Sequence, residues 1–276
     1  MGPDVKILAF MILHTGRPYL RAAIESILPQ VDQLVILYCP TPSQGFQTDI
    51  PCPDARGELL DEVFGPMMLQ AMGSTDDGCR WLQAEKVLWV DGSWTNESDH
   101  INAIWPYAEG FDWVWRFDAD EVSPPGMVQE MITQAAHKMH RAALDQVERP
   151  SLFRVPFVHF WRCFSRACRD GSHPFRLFKV NGGRGEATLD SKNQKWEVLH
   201  FGYAQPTKYI TYKMQVSGHR PEWRPDWFKD RWLANAQADV HPVCFPTHWH
   251  PVDYDKSKLP EVLKRHPYYS MELIDE

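Results

Sequence analysis

At 276 residues, with 43% hydrophobic and 24% charged residues, the chain has material for the core of one large α/β domain or two small ones. A formal net charge of −7 excludes a global field that would draw it onto nucleic acid or an anionic membrane. Six cysteines (Cys39, Cys52, Cys79, Cys163, Cys168, Cys244) show neither a CxxC pair nor zinc-ligand spacing, so they read as free thiols in a reducing cytosol.

Val5 to His14 is a continuous apolar run closed by the turn Thr15-Gly16, the pattern of a central strand covered on both faces. It is too short to span a bilayer and has no basic leader or small-residue cleavage site, so a cytoplasmic protein without a membrane span is expected. Pro18 suits a first helical turn, and Leu20, Ala23, Ile24, Ile27 and Leu28 recur at helical spacing, which predicts a helix from Pro18 to Leu28. Gln33 to Tyr38 is the next strand, and strand, helix and strand in so short a span predict a βαβ unit with parallel strands. Prolines 40, 42, 51 and 53 punctuate a loop before a helix containing Leu59, Leu60 and Val63. Strands follow at Lys86–Val90 and Trp113–Phe117, separated by a helix within Asn96–Ala108. Pro124–His140 reads as a helix and Phe153–Trp161 as one further strand. Beyond it, turn residues and aromatics alternate without a clear period, and there is no internal repeat or low-complexity linker.

The informative stretch is Asp112-Trp-Val-Trp-Arg-Phe-Asp-Ala-Asp-Glu121. Trp113, Trp115 and Phe117 alternate along a strand, so an extended chain turns Asp118 and Asp120 together to the other side, just past the strand end. Two carboxylates there suit Mg²⁺ or Mn²⁺, and open α/β sheets bind ligands at the carboxyl ends of their strands. A solvated acidic turn ahead of a helix is the plain alternative.

The first half of the chain resembles the family 2 glycosyltransferases. The opening strand, polar turn and Tyr19-Leu20…Ser26-Ile-Leu28 helix match that family's entry, and Asp99-His-Ile-Asn102…Gly110 followed by Trp113…Asp118-Ala-Asp120 matches its approach to an acidic DxD motif. The likeness runs over residues 5 to 140 with the elements in the same order. It implies a single GT-A-like (Rossmann-like) domain over 1–276, with a mixed, mostly parallel sheet flanked by helices. Residues 1–122 would form the nucleotide-sugar half, and 123–276 the acceptor half with its aromatic-rich C-terminal region.

The resemblance places His14 and Thr15 beside the base and Asn96 to Asn102 along the donor. Asp118 and Asp120 would contact ribose, metal and diphosphate. The family's acidic residues after the second strand are missing here, where the sequence reads Leu37-Tyr38-Cys39-Pro40. Asp91, one strand later, either takes their place or is a plain turn residue. A UDP sugar is the expected donor and an acceptor hydroxyl the expected partner.

GT-A metal sites commonly add a C-terminal histidine. His200 ranks first, at a strand end before Phe201-Gly202, ahead of His219, His248 and His250. Glu197, near His200, is the choice for a catalytic base that deprotonates the acceptor. Between Arg154 and Arg184 seven cations face only Asp170. Three readings stand for this stretch: arginines paired with the protein's own carboxylates, arginines on the donor phosphates, or Arg162, Arg166 and Arg169 tracking a polyanionic acceptor such as hydroxymethylated DNA. The rival functions are a nucleotidyltransferase, for which Thr15-Gly16-Arg17 is a poor phosphate loop, and an inactive sugar- or nucleotide-binding module.

Overall fold

The computed structural model describes residues 5–43, 45–71, 84–169, 173–192, 194–243 and 249–275. The first strand, β1 (Ile7–Leu13), is buried at every position. Its alternate residues serve two cores: Ile7, Ala9, Met11 and Leu13 face one, and Leu8, Phe10 and Ile12 face the other. That arrangement explains an apolar run with no polar alternation. Helix α1 (Arg17–Ile27) and strand β2 (Gln33–Tyr38) complete the expected βαβ unit, with β1 and β2 parallel. Next come α2 (Arg56–Ala71), β3 (Val87–Asp91), α3 (Glu97–Asn102) and β4 (Trp113–Arg116). The helix expected over Asn96–Ala108 is shorter than its apolar pattern: Pro106 lies in a separate 3₁₀ turn, Trp105–Tyr107.

After β4 the chain forms β5 (Glu121–Val122), α4 (Met127–Leu144), β6 (Pro150–Arg154) and β7 (Phe157–Trp161). The single strand expected over Phe153–Trp161 is therefore two. Pro156 stands between them, unable to donate to a ladder, and they enter different sheets. The remaining elements are β8 (Arg166–Cys168), β9 (Phe175–Lys179), β10 (Gly185–Thr188), β11 (Val198–Tyr203), α5 (Thr207–Val216), β12 (Val252–Asp253) and α6 (Glu261–Lys264).

The larger sheet has seven strands in the order β10-β6-β9-β4-β1-β2-β3. Only β9 runs antiparallel to its neighbours, so the sheet is mixed and mostly parallel. A second sheet, absent from the sequence expectation, has five strands in the order β12-β8-β7-β11-β5. Helix α1 joins the two: Leu20, Ala23, Ile24 and Ile27 pack in the large-sheet core, while Tyr19 and Ala22 pack in the small-sheet core. Burying each of its larger aliphatic side chains contributes about 1.5–3 kcal/mol. Among the described residues, no helix is long and apolar enough to cross a membrane.

Candidate active site

The strand before the acidic tripeptide belongs to the large sheet and the strand after it to the small one. Residues 117–120 carry the chain across that seam. Phe117 and Ala119 turn into the core, and the amide of Glu121 closes a turn on the Asp118 carbonyl at 3.0 Å. The middle residue is small for a reason. A Cβ added to Gly16, at φ +141°, would stand 2.6 Å from the Ala119 Cβ, so the turn after β1 and the tripeptide pack directly on each other.

Asp118 faces arginines. Arg176, from β9, donates through Nη2 to Asp118 Oδ2 at 2.7 Å, and Arg116 donates through Nε to Oδ1 at 3.4 Å. Arg176 also bonds Glu121, which is fully buried, through Nε at 3.2 Å and Nη2 at 2.5 Å. Glu121 Oε2 in turn accepts from the Asp118 amide at 3.2 Å. Although burial works against its charge, the Asp118 carboxyl is held down at about 2, chiefly by Arg116 and Arg176. Burial works against Arg176 as well, yet Asp118 and Glu121 hold its guanidinium charged. The Glu121 carboxyl is pushed upward by burial against the pull of Arg176.

Asp120 faces a looser set. Its Oδ2 accepts from Gln205 Nε2 at 3.2 Å and lies 3.9 Å from Lys213 Nζ, carried by α5. Its Oδ1 lies 3.7 Å from His200 Nε2, on β11. Burial raises the Asp120 carboxyl, against the pull of Lys213. Burial, with Lys213 and Arg176 nearby, holds His200 at about 3, so its imidazole is neutral and has a lone pair to offer. Space for that ring comes from Gly202, where a Cβ would stand 2.5 Å from His200 Cε1. The other ring nitrogen, Nδ1, is hydrogen-bonded to His159 Nδ1 at 2.8 Å.

Two adjacent ligands of one octahedral Mg²⁺ or Mn²⁺, each at about 2.1 Å, stand about 3.0 Å apart. Asp120 Oδ1 and neutral His200 Nε2, at 3.7 Å, would have to close to about 3.0 Å to serve as adjacent ligands of one octahedral ion. Such metals commonly take only one or two protein carboxylates and complete their shell with phosphate oxygens and water. The expected triad of Asp118, Asp120 and His200 does not gather, and among the described residues no three His, Cys, Asp or Glu side chains form a cage. The reason is electrostatic: Asp118 already has a guanidinium on each oxygen.

The other expected residues fall into two groups. His14 donates through Nδ1 to the Cys39 carbonyl at 2.9 Å and accepts at Nε2 from the Tyr212 hydroxyl at 2.7 Å, and burial keeps its pKa low. Thr15 donates to Asp54 Oδ2 at 2.6 Å. Asp54 also accepts from the amides of Gly16 and Arg17 and from the Tyr209 hydroxyl, so it ties the start of α1 to α5. Both residues thus stand at the carboxyl end of β1, beneath α5. The second group is occupied elsewhere. Asp91 forms a two-pronged pair with Arg56 at 2.6 and 2.7 Å. Asn96 caps α3 by accepting from the Asp99 amide, and Asn102 accepts from Trp105 Nε1 at 3.2 Å. His219 pairs with Glu222, His250 accepts from the Asp239 amide, and His248 lies outside the described residues.

Glu197 and most of the arginine stretch are engaged within the protein. Glu197 is buried, and its two oxygens accept from Arg169 at 3.1 to 3.3 Å, so the carboxylate is already engaged in an ion pair. Arg162 is 1% exposed, bonds the Trp232 carbonyl and Asp275, and stacks on Trp232 at 4.3 Å. Arg154 pairs with Glu186, and Lys179 with Asp112. These pairings support the plainest reading of the stretch, cations matched to the protein's own carboxylates; Arg166, half-buried in β8, is left without a phosphate-tracking row to join. Asp170 lies outside the described residues.

Sequence reasoning missed Glu121, Gln205, Lys213, His159 and Asp54. Glu121 closes the acidic stretch itself but was given no site role; the others sit in no local motif and reach their site partners across 37 or more residues. A cavity of about 730 Å³, lined in part by Arg17, Arg21, Lys208, Tyr209, Arg265 and Tyr268, includes neither aspartate of the tripeptide nor His200.

No family model matches the chain, and no curated protein does. Among solved structures, S. aureus TarS 1–349 shares 10% identity over 63% of this chain and 47% of that one, with a TM-score of 0.35. The 4-diphosphocytidyl-2C-methyl-D-erythritol synthase of Anaerococcus prevotii shares 11% identity over 64% of this chain and 70% of that one, with a TM-score of 0.33. The chain thus spans less than half of the TarS fragment. Likenesses this weak carry no argument about activity.

Proposed function

We propose that this chain is a glycosyltransferase that moves a sugar from a nucleoside-diphosphate sugar to an acceptor hydroxyl. The observation that supports it most is the pairing of Asp120 Oδ1 with the neutral Nε2 of His200, 3.7 Å apart, beyond the carboxyl end of β4. Together with the sequence resemblance over residues 5 to 140, this pair favours a Mn²⁺- or Mg²⁺-dependent reaction.

Asp120 and His200 would hold the cation. The chemistry it supplies when bound is stabilisation of the negative charge that grows on the departing diphosphate. Lys213 Nζ, one-third exposed and already near Asp120, adds a second positive charge on the same side. Gln205 fixes the rotation of Asp120 by donating to its other oxygen. Arg116 and Arg176 hold Asp118, and with it the tripeptide, so that these groups need little reorganisation when the donor arrives. His14 and Thr15, at the end of β1, would lie beside the base and ribose, as the sequence resemblance implies. UDP sugars are the first donors to test. The acceptor proposed is a glycan or small-molecule hydroxyl, because Arg162 and Arg169, two of the three arginines that suggested DNA, are engaged within the protein.

The test is release of nucleoside diphosphate from a panel of nucleotide sugars, with Mn²⁺ or Mg²⁺ and with chelator. Turnover should require the metal and fall at least about 100-fold in Asp120→Asn, as when a charge-stabilising group is removed. Full turnover in that variant, or in chelator with no metal retained, overturns the proposal.

A further inference from the structure

His159 is absent from every motif in the sequence, yet it is the residue that His200 touches most closely. The two are directly opposed in the parallel pairing of β7 with β11, which puts both side chains on one face of the small sheet. Their Nδ1 atoms are 2.8 Å apart and their rings meet edge to face, with centroids at 4.9 Å and planes at 87°. His159 is buried, stacks on Trp249 at 4.6 Å and lies against Phe157 at 5.8 Å, so its own orientation is well determined.

Two nitrogens at that distance cannot both be donors or both be acceptors: one carries the proton and the other the lone pair. His200 needs the lone pair of Nε2 on the side of Asp120 if it is to ligate a cation, which puts its proton on Nδ1. His159 must then accept at Nδ1 and carry its own proton on Nε2. The pair therefore has a single proton arrangement compatible with metal binding.

We infer that His159 is a positioning residue for the metal site, fixing the rotation and tautomer of His200 by accepting a hydrogen bond from its Nδ1. This rests on the proposed role of Asp120 and His200. A histidine ligand whose second nitrogen loses its acceptor typically loses metal affinity, by about 10–100-fold. The side chain at 159 therefore matters for its acceptor atom rather than for its bulk.

The experiment is a Mn²⁺ titration of the full chain followed by electron paramagnetic resonance, without donor or turnover. His159→Phe keeps a ring against Trp249 and removes the acceptor; His159→Leu serves where the phenyl ring impairs folding. His159→Asn places an amide oxygen near the position of Nδ1. The Phe and Leu variants should bind Mn²⁺ about 10–100-fold more weakly, and the Asn variant within about threefold of wild type. The nitrogen coupling from His200 in the pulsed spectrum should persist in the Asn variant and weaken in the Phe variant. If Phe and Leu bind as wild type while His200→Ala does not, the inference fails and the metal site stands. If Phe, Leu and Asn all lose affinity alike, the ring contributes by packing and the inference fails. If neither His200→Ala nor Asp120→Asn alters binding, the metal reading fails and takes the inference with it.

Discussion

Two aspartates one residue apart experience opposite surroundings. On the arginine side of the seam, Asp118 has a guanidinium on each oxygen, and Glu121 beneath it is fully buried against Arg176. On the histidine side, Asp120 has one amide hydrogen bond, a lysine at 3.9 Å and an imidazole at 3.7 Å. The first set is saturated and maintains the shape of the crossing from β4 to β5. The second leaves donor atoms unspent, which is what a ligand site requires. An acidic tripeptide need not use its two carboxylates alike: here one is structural and the other is available.

Removing a cation from each side should expose that difference. Arg176→Met leaves Glu121 buried without its partner and should cost about 3–5 kcal/mol in urea unfolding. Lys213→Met, which breaks a long pair at a one-third exposed lysine, should cost under about 1 kcal/mol. Equal losses would erase the distinction between a saturated and an open side.

Gly202→Ala tests the histidine side without removing a polar group, although its methyl would also crowd Lys213 Nζ at 2.9 Å. The added methyl would stand 2.5 Å from the His200 ring and must displace it. Mn²⁺ affinity should fall by about tenfold or more, the scale for a disturbed ligand, while thermal stability changes little. Unchanged affinity would mean that the position of the ring is immaterial.

Glu197→Gln tests the reassignment of that residue to an ion pair. The partly exposed pair with Arg169 should cost at most about 2 kcal/mol. Transfer should continue at a comparable rate; its abolition in a folded variant would restore Glu197 as the base.

The smallest effect concerns His266, a reference for a half-buried histidine with no ligand to hold. It is hydrogen-bonded at Nε2 to the Pro18 carbonyl and at Nδ1 by the Tyr268 amide, and burial lowers its pKa below 6.5. Folded His266 thus binds a proton less readily than unfolded His266. Its neutral form contributes stability above pH 6.5, and this contribution is lost as the pH falls through the folded value. The stability advantage of wild type over His266→Phe should shrink on acidification below 6.5; an advantage that grows instead would contradict the sign.

Strands β1 to β4 of the large sheet were legible in sequence because they are apolar runs with helices between them, whereas β9 and β10, short and mixed in composition, were not. Ile7–Leu13 and Gln33–Tyr38 announce themselves, and Trp113, Trp115 and Phe117 fix the direction of the carboxylates that follow. His200 was singled out as a strand-end histidine, but it lies inside β11, three residues before that strand's end. The small sheet was not legible, because its strands are two to six residues long and Pro156 breaks the run that hid β7. The electrostatics were the least legible. Seven cations in one stretch look like a surface for a polyanion, but Arg162 meets Asp275 across 113 residues and Arg176 meets Glu121 across 55. Composition reveals a charge; only the fold reveals its partner.

The central claim is that Asp120, and not Asp118, presents the tripeptide's charge to a cation. It is tested most directly by titrating Mn²⁺ into wild type, Asp118→Asn and Asp120→Asn and comparing affinities. Asp120→Asn should lose at least about tenfold, and Asp118→Asn should stay within about threefold, since its oxygens already belong to two arginines. An equal loss in both variants, or none in Asp120→Asn, would contradict the account.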